Sequence, residues 1–560
     1  MSSAAHLGRR LLSQVEPAPT EPPEIPAESA SDGALPHPLR RWLSRLLAIG
    51  VVLIGLTVAL VLVFAVAGGG ETRLTTADLT PASAGLYVAL NTDLASDQWI
   101  RAFALAQRLG ANDPERDLRA EVEEGADLNW QRDVAPFLGG DAAFYLRAID
   151  FDDGAPTIRG AVIVRAADPD RALAVIEAEA DLPFRDRSYL DIAIRFHEGE
   201  ADDTVFLARL GDHVVVAPDQ GSMFDVIDVF RGRSPSLSSL AAFGTLREQM
   251  PDRFLSLLYV DPSKLGGDAL YLNDADVRDA VEGAKLDELL FEPTMGAIRA
   301  QDGGFVVEAV SGVVDGGASA FLRPRSSRFA GLVPDGTMLF VSTAFLAGTW
   351  SELRADVGDE IDEALAEQGE YESLDAALAD AGRQLGLDSL TEVIDLATGE
   401  VALALWFPDS ELTRPEVAFL IEVEREVEAC AILQRATAAL EIRISEPGVP
   451  RVTTLGDESE VAYAIQDGYV VIGTFDAVLD IVADDRRRLT QDAHYAAAVA
   501  GIDTPLGSFV YLNLGSLLAI AAEDLPGEFG KLEDVLQSLI LNAVQDSGVN
   551  RLTGVLAVAE

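Results

Sequence analysis

The chain has one cysteine, Cys430, in 560 residues. No intrachain disulfide can form, and cysteine cannot build a metal site. Cys430 lies in "EVEACAIL", a helical-looking stretch, and reads as a small buried hydrophobe rather than a reactive thiol. Histidine is nearly as scarce: His6, His37, His197, His213 and His494 are all there are. None are spaced as H-x-x-x-H or H-E-x-x-H, so no histidine zinc site is expected. The chain also lacks a G-x-S-x-G elbow, an S-x-x-K pair and a Walker loop.

Positive charge is scarce too. There are 42 basic residues against 92 acidic ones, a net charge of −50, and the only lysines are Lys264, Lys285 and Lys531. In residues 1–70 the basic Arg9, Arg10, Arg40, Arg41 and Arg45 balance Glu16, Glu21, Glu24, Glu28 and Asp32, so the imbalance falls on residues 71–560. A body this acidic repels phosphate backbones, and nucleic acid is not an expected partner. Acidic, lysine-poor composition fits a GC-rich genome or adaptation to salt, where screening relieves self-repulsion.

Set against these gaps is one long apolar run, "LLAIGVVLIGLTVALVLVFAVA" at 46–67, with Thr57 its single polar residue. As a helix it spans about 33 Å at ~1.5 Å per residue, enough for a bilayer core of ~30 Å. Arg40, Arg41 and Arg45 crowd its N-terminal side, whereas "GGGETR" follows it. The positive-inside rule places the N-terminus in the cytoplasm and the remainder outside, with the bilayer itself a partner of residues 46–67. "AVA" at 65–67 resembles a cleavage site, but the run exceeds a signal-peptide core of ~7–15 residues, so we expect an uncleaved signal-anchor. "LRRWLS" at 39–44 is read as a topology determinant. Residues 1–45 are expected to be a disordered cytoplasmic tail, since 14–39 are Pro, Glu, Ser and Ala with few large apolar side chains. Residues 68–78 read as a linker.

Beyond the linker the chain repeats itself. "PASAGLYVALNTDLASDQW" at 81–99 matches "PDGTMLFVSTAFLAGTW" at 334–350, with Tyr87 on Phe340. "GGDAAFYLR" at 139–147 matches "TGEVALALW" at 398–406, and Pro156 before "TIRGAVIVRA" matches Pro415 before "EVAFLIEVER". "GDHVVV" at 211–216 matches "DGYVVI" at 467–472; "FLSLLYVDPSKL" at 254–265 matches "GSFVYLNLGSLL" at 507–518, with Tyr259 on Tyr511. "GAIRAQ" at 296–301 matches "GVLAVA" at 554–559. The matches stay in order at nearly constant spacing, far longer than a solenoid period of about 20–50 residues. We therefore expect two homologous units, 79–331 and 332–560. The first continues as "GAIRAQDGGFVVEAVSGVV", a full hairpin, so the second should lack an edge strand or borrow one.

The units read as α+β. "AGLYVAL", "DAAFYLR", "RGAVIVRA" and "DIAIRFH" alternate with strand period, and "RLGDHVVVA" and "IQDGYVVIG" carry hairpin turns. "DPDRALAVIEAEA" opens with Asp168, Pro169 and Asp170, a helix start. Trp350, Leu353, Val357, Ile361 and Ala364 form one apolar helical stripe. Short hairpins force antiparallel pairing, so mainly antiparallel sheets covered by helices are expected.

Chemistry is harder to find. "DFDDGAP" at 150–156, with Asp150, Asp152, Asp153 and Gly154, starts like a calcium loop, but the twelfth residue from Asp150 is Ala161 rather than an acid. The matching "FPDSELTRP" keeps Asp409 and Glu411 without the spacing; "EGEADD" at 198–203 and "QDGG" at 301–304 read as solvated turns. Trp99, Trp130, Trp350 and Trp406 could line a ligand groove, but the recurrence of Trp99 and Trp350 at a helix start favours a core role.

"PASAGLYVALNTDLASDQW", "FLGGDAAFYL", "DGYVVIGTFDAVLDIV" and "SLSSLAAFGTLREQMPDRFLSLLYVD" together resemble the bacterial membrane-anchored family of domain of unknown function 3352 over most of residues 75–560. The resemblance implies an extracytoplasmic bacterial protein and transfers no activity. We expect no catalytic, cofactor-binding or metal residues and no cofactor. The expected function is a non-catalytic, single-pass cell-membrane protein whose acidic ectodomain binds an envelope protein or ligand. An exported hydrolase using carboxylates or a divalent cation, and a purely structural envelope protein, are the alternatives.

Overall fold

In the computed structural model the residues described are 74–126, 129–152, 155–180, 183–197, 204–265, 292–313, 321–344, 346–368, 371–408, 414–439, 453–455, 461–483, 486–521, 532 and 535–559. The expected tail at 1–45 and anchor at 46–67 lie outside them, as do Asp153, Gly154, Asp409, Glu411 and residues 198–203. Among the described residues no helix is long and apolar enough to cross a membrane. They belong to one unit, Val61–Glu560.

The first ten strands are β1 Leu86–Asn91, β2 Asp141–Asp152, β3 Ala155–Arg165, β4 Arg185–Tyr189, β5 Ile192–His197, β6 Val205–Leu210, β7 His213–Ala217, β8 Ser256–Val260, β9 Thr294–Gln301 and β10 Gly304–Ser311. The remaining nine are β11 Thr337–Ala344, β12 Glu400–Trp406, β13 Glu416–Glu422, β14 Thr453–Leu455, β15 Val461–Gln466, β16 Tyr469–Thr474, β17 Ser508–Asn513, β18 Leu536–Asp546 and β19 Val549–Val558. Every pairing among them is antiparallel. The short turns dictate this. In the β15–β16 turn Asp467 and Gly468 both have positive φ, 49° and 78°, which a two-residue hairpin of the right twist requires.

Space order differs from chain order. Strand β1 lies between β2 and β8, β3 joins β2 to β7, and β9 joins β8 to β10. Strand β11 lies in the same way between β12 and β17, β13 joins β12 to β16, and β18 joins β17 to β19. Registers agree as well: Tyr87 faces Tyr259, and Phe340 faces Tyr511. The ends of the two series meet, because β10 pairs with β19 from Gly304–Ala557 to Ser311–Asn550, making one 19-stranded sheet. The expectation that the second series lacks an edge strand is therefore corrected. Beside β17 stands β18, as β9 stands beside β8, so the match of "GAIRAQ" to "GVLAVA" is displaced by one strand.

Alternation puts one set of side chains on each face. On one face, Tyr87, Tyr145, Ile163 and Tyr259 pack with Met223, Val226 and Ile227 of the helix Gln220–Phe230 and with Phe243 and Leu246 of the helix Ala241–Glu248. A second core on that face joins Phe340, Ala404, Leu420 and Tyr511 to the helices Phe475–Val482 and Ala493–Ala500. The ring of Phe243 stands edge-on to Tyr259 at 5.2 Å, as Tyr495 does to Tyr511 at 5.1 Å. Polar caps start two of these helices: Asp219 accepts from Ser222 N (2.9 Å) and Asp492 from Tyr495 N (2.9 Å).

Chain near both expected boundaries is packed. Thr76 and Ala77 are fully buried and Ala77 and Leu79 join the first core, so 74–78 is packed chain rather than linker. Phe329 and Ala330 join Val333 in the second core.

Candidate binding face

The opposite face of the sheet is apolar and, among the described residues, only partly covered; the helix Asp97–Arg108 lies over the far end of β9, where Gln98 bonds the backbone of Ala300. At its flanks, Ala172 of the helix Pro169–Ala180 packs on Val214, and Ala429 and Ile432 of the helix Glu426–Ala439 pack near Ile421 and Val470. Between these flanks run two rows of cross-strand neighbours. One is Leu258, Val88, Phe144, Val162 and Val216; the other is Val510, Val341, Leu403, Phe419 and Ile472. Phe144, Val162, Leu403 and Phe419 are each 36–39% exposed.

The rows meet at the β10–β19 seam, where side chains become small. Across β9, β10, β19 and β18 a first row is Thr294, Ser311, Asn550 and Gln545; the next is Gly296, Ala309, Leu552 and Ala543. Then come Ile298, Val307, Gly554 and Leu541. None of these residues is charged. Thr294, Ala309, Val310, Ser311, Leu322, Ala543, Asn550, Arg551 and Leu552 line a shallow groove of about 260 Å³, Val310 and Arg551 by strand alternation with their side chains on the other face. Its polar end holds Asn550, whose Nδ2 donates to Gly312 O (3.1 Å) while its buried Oδ1 has no partner among the described residues. Leu552, in the apolar part, is 50% exposed.

Beneath the groove, on the core face, the seam is charged. Arg299 contacts Glu308 (3.4 Å) and Asp503 (2.7 Å), and Glu308 is almost fully buried. Arg551 turns to the same side, donating to Gln249 O (3.1 Å).

Two buried carboxylates hold the lead-in segments of the two series. Asp141, at the start of β2, accepts from Thr75 Oγ1 (2.6 Å), Thr76 N (2.8 Å) and Thr76 Oγ1 (2.7 Å). Glu400, at the start of β12, accepts from Ser327 Oγ (2.5 Å), Arg328 N (2.7 Å), Phe329 N (3.1 Å) and Ser342 Oγ (2.5 Å). Arg325 adds an ion pair to Glu400 at 3.4 Å; burial pulls its guanidinium below the ordinary value, and Glu400 opposes that.

The first clamp contains the residue types of a hydrolytic triad, because His213 Nε2 lies 2.9 Å from Thr75 Oγ1. The geometry does not support nucleophilic chemistry. A triad acid orients the base from the far imidazole nitrogen. Here Asp141 and His213 both contact the hydroxyl itself. Thr75 Oγ1 donates to the Asp141 carboxylate, so its hydroxyl proton is directed at the acid rather than at the imidazole. Burial pulls the His213 imidazole below its ordinary value, with the Asp141 carboxylate opposing.

Residues singled out in the sequence are dispersed. His197 ends β5, near Pro183 O (3.4 Å), and His494 lies in the helix Ala493–Ala500. Asp150 and Asp152 lie in β2. Cys430 is half-buried rather than buried, with Gln434 Nε2 3.5 Å from its sulfur. Trp99, Trp130 and Trp406 are buried and Trp350 is half-buried. Among the described residues no three His, Cys, Asp or Glu side chains gather as a metal site. Neither the seam groove nor the clamps stand out in the sequence. The only signal for the clamps is an acid at the same place in two matched strands.

A family model described as "Protein of unknown function (DUF3352)" matches residues 46–553. No curated protein matches. Two crystal structures of TP0453 are similar over part of the fold. Crystal form I is 8% identical, covering 42% of this chain and 78% of that chain at a TM-score of 0.23. Crystal form III is 11% identical, covering 42% and 79% at the same TM-score of 0.23. A likeness this slight carries no functional meaning.

Proposed function

We propose, from the premise that this chain belongs to the DUF3352 family, that it is a non-catalytic, single-pass membrane protein whose ectodomain binds an apolar ligand or partner in the cell envelope. The observation that carries this reading is the uncharged apolar face running from Val216 through the β10–β19 seam to Ile472. A face of this kind favours burial against an apolar surface and offers no group for proton transfer or nucleophilic attack.

The anchor reading rests on residues 46–67 and their flanking arginines. The body is read as two homologous units, supported by matching strand neighbours, the matching Tyr87–Tyr259 and Phe340–Tyr511 registers, and two carboxylate clamps in corresponding places. Protease added to intact spheroplasts should digest residues after 71 and spare a tag placed before Arg40. Native mass spectrometry of the full chain released from its own membranes should then retain a bound molecule. Protection of the ectodomain overturns the topology. Release of a bare chain that hydrolyses esters or glycosides overturns the binding reading in favour of a carboxylate hydrolase.

A further inference from the structure

We infer that the seam groove binds the alkyl chain of a neutral lipid whose head group carries a hydroxyl donor. The inference rests on the binding reading above and gives it a ligand class.

The shape of the groove follows from residue size. Ala309 and Ala543 leave a trough between rows whose outward residues are large, and Leu322 adds to its lining. The trough has a direction. Successive outward rows along a strand are about 6.6 Å apart. The first row is polar, through Thr294, Ser311 and Asn550, and the following rows are aliphatic. An amphiphile laid along the strands meets polar groups once, at one end.

Three observations select this chemistry. The groove lies in mid-sheet, where β10 and β19 spend their backbone donors and acceptors on each other. A peptide cannot add to it as an extra strand, and lying across it would bury unpaired amides. An alkyl chain carries no such penalty and gains with every methylene it buries. Charge selects next. The chain carries a net −50, which disfavours an anionic head group and a second copy of the chain alike. The head group is specified by Asn550. Its Nδ2 is committed to Gly312 O, and its Oδ1 is a buried acceptor in need of a donor. A glycerol-type hydroxyl supplies that donor; a carboxylate at neutral pH supplies only acceptors.

The test uses the full chain in nanodiscs and two probes with the same diazirine-tagged acyl chain, a monoacylglycerol and the free fatty acid. Labelled peptides are mapped by mass spectrometry. The monoacylglycerol is expected to label β10, β18 and β19 around Ala309, Ala543 and Leu552, and the fatty acid to label them less. Labelling of residues 46–67 serves as the internal reference. Ala309→Phe and, independently, Ala543→Phe fill the trough and should abolish the seam label while leaving the reference label and the melting temperature unchanged. Asn550→Leu should keep the seam label and erase the preference for the glycerol head. Absence of seam label, label that survives both Phe variants, or preference for the fatty acid overturns the inference. So does a second copy or another polypeptide found cross-linked over Leu552. If the seam stays unlabelled while the chain still retains a bound molecule in native mass spectrometry, the ligand class fails and the binding reading stands.

Discussion

Glu308 of β10 and Thr553 of β19 are directly opposed at the seam of the sheet. Measured from the β9–β10 and β18–β19 turns, they occupy the same position in their hairpins. The two residues differ in chemistry, and that difference determines what the core face of the seam must accommodate. Glu308 is nearly buried and needs Arg299; Thr553 needs no counter-charge.

That dependence gives the first prediction. Glu308→Ala should destabilise the chain by about 3 kcal/mol, the low end for breaking a buried pair, because Arg299 keeps Asp503. Replacing both partners with leucine should cost less than the sum of the two single changes, since neither charge is then stranded. Urea unfolding of the full chain in neutral micelles measures the cycle. Strict additivity would show that the pair is not coupled.

The carboxylate clamps give the second. Asp141→Ala removes the acceptor for the buried Thr76 amide, and Glu400→Ala removes the acceptor for the Arg328 and Phe329 amides. A stranded buried donor costs about 1–3 kcal/mol. Hydrogen exchange should show Thr76 losing protection in the first variant alone and Phe329 in the second alone. Simultaneous loss at both places in either variant would mean that the lead-in segments are held by something shared.

Much of this fold was legible because hairpins and alternation are local. "IQDGYVVIG" contains its own turn, and its Asp467 and Gly468 adopt the conformation those residue types favour. Strand β18 was missed because "LQSLILNAVQD" has apolar residues on both parities, matching burial on both faces around Leu539 and Ile540. Chain order also says nothing about β10 meeting β19, a pairing between residues more than two hundred positions apart. Residues 74–78 looked like linker because Thr75 and Thr76 are polar; their burial depends on Asp141, which is distant in sequence. The seam groove was invisible for the same reason, since Ala309 and Ala543 are ordinary small residues until the sheet sets them in one row.

The third prediction concerns pH. The folded His213 titrates below its ordinary value of 6.5, chiefly through burial. Between that value and the lower folded one, the unfolded chain binds a proton that the folded chain does not. Stability from this group is therefore full above about pH 6.5 and falls as the pH drops below it. The charged groups facing the ring are Asp141 and Asp212, which favour the proton, and Arg165, which opposes it. His213→Asn keeps a polar partner for Thr75 and removes the titration. Melting curves from about pH 8 to about pH 5 should fall less steeply for the variant than for the parent; equal slopes would assign the acid sensitivity elsewhere.

The fourth concerns salt. With 92 acidic residues against 42 basic ones, repulsive pairs outnumber attractive ones, and the ion pairs seen are mostly partly exposed. Screening weakens both kinds, so the majority kind decides the sign. The screening length falls from about 10 Å at 0.1 M to about 3 Å at 1 M monovalent salt. The full chain in neutral micelles should therefore melt at a higher temperature as NaCl is added, with MgCl₂ and CaCl₂ more effective per mole and similar to one another. A flat response to NaCl would show that the acidic groups are spaced widely enough to ignore each other. A saturable rise at low CaCl₂, absent with MgCl₂ and abolished by Asp152→Ala, would replace diffuse screening with a specific cation held by the loop at 150–156, where the sequence begins like a calcium site but lacks the acid that closes one.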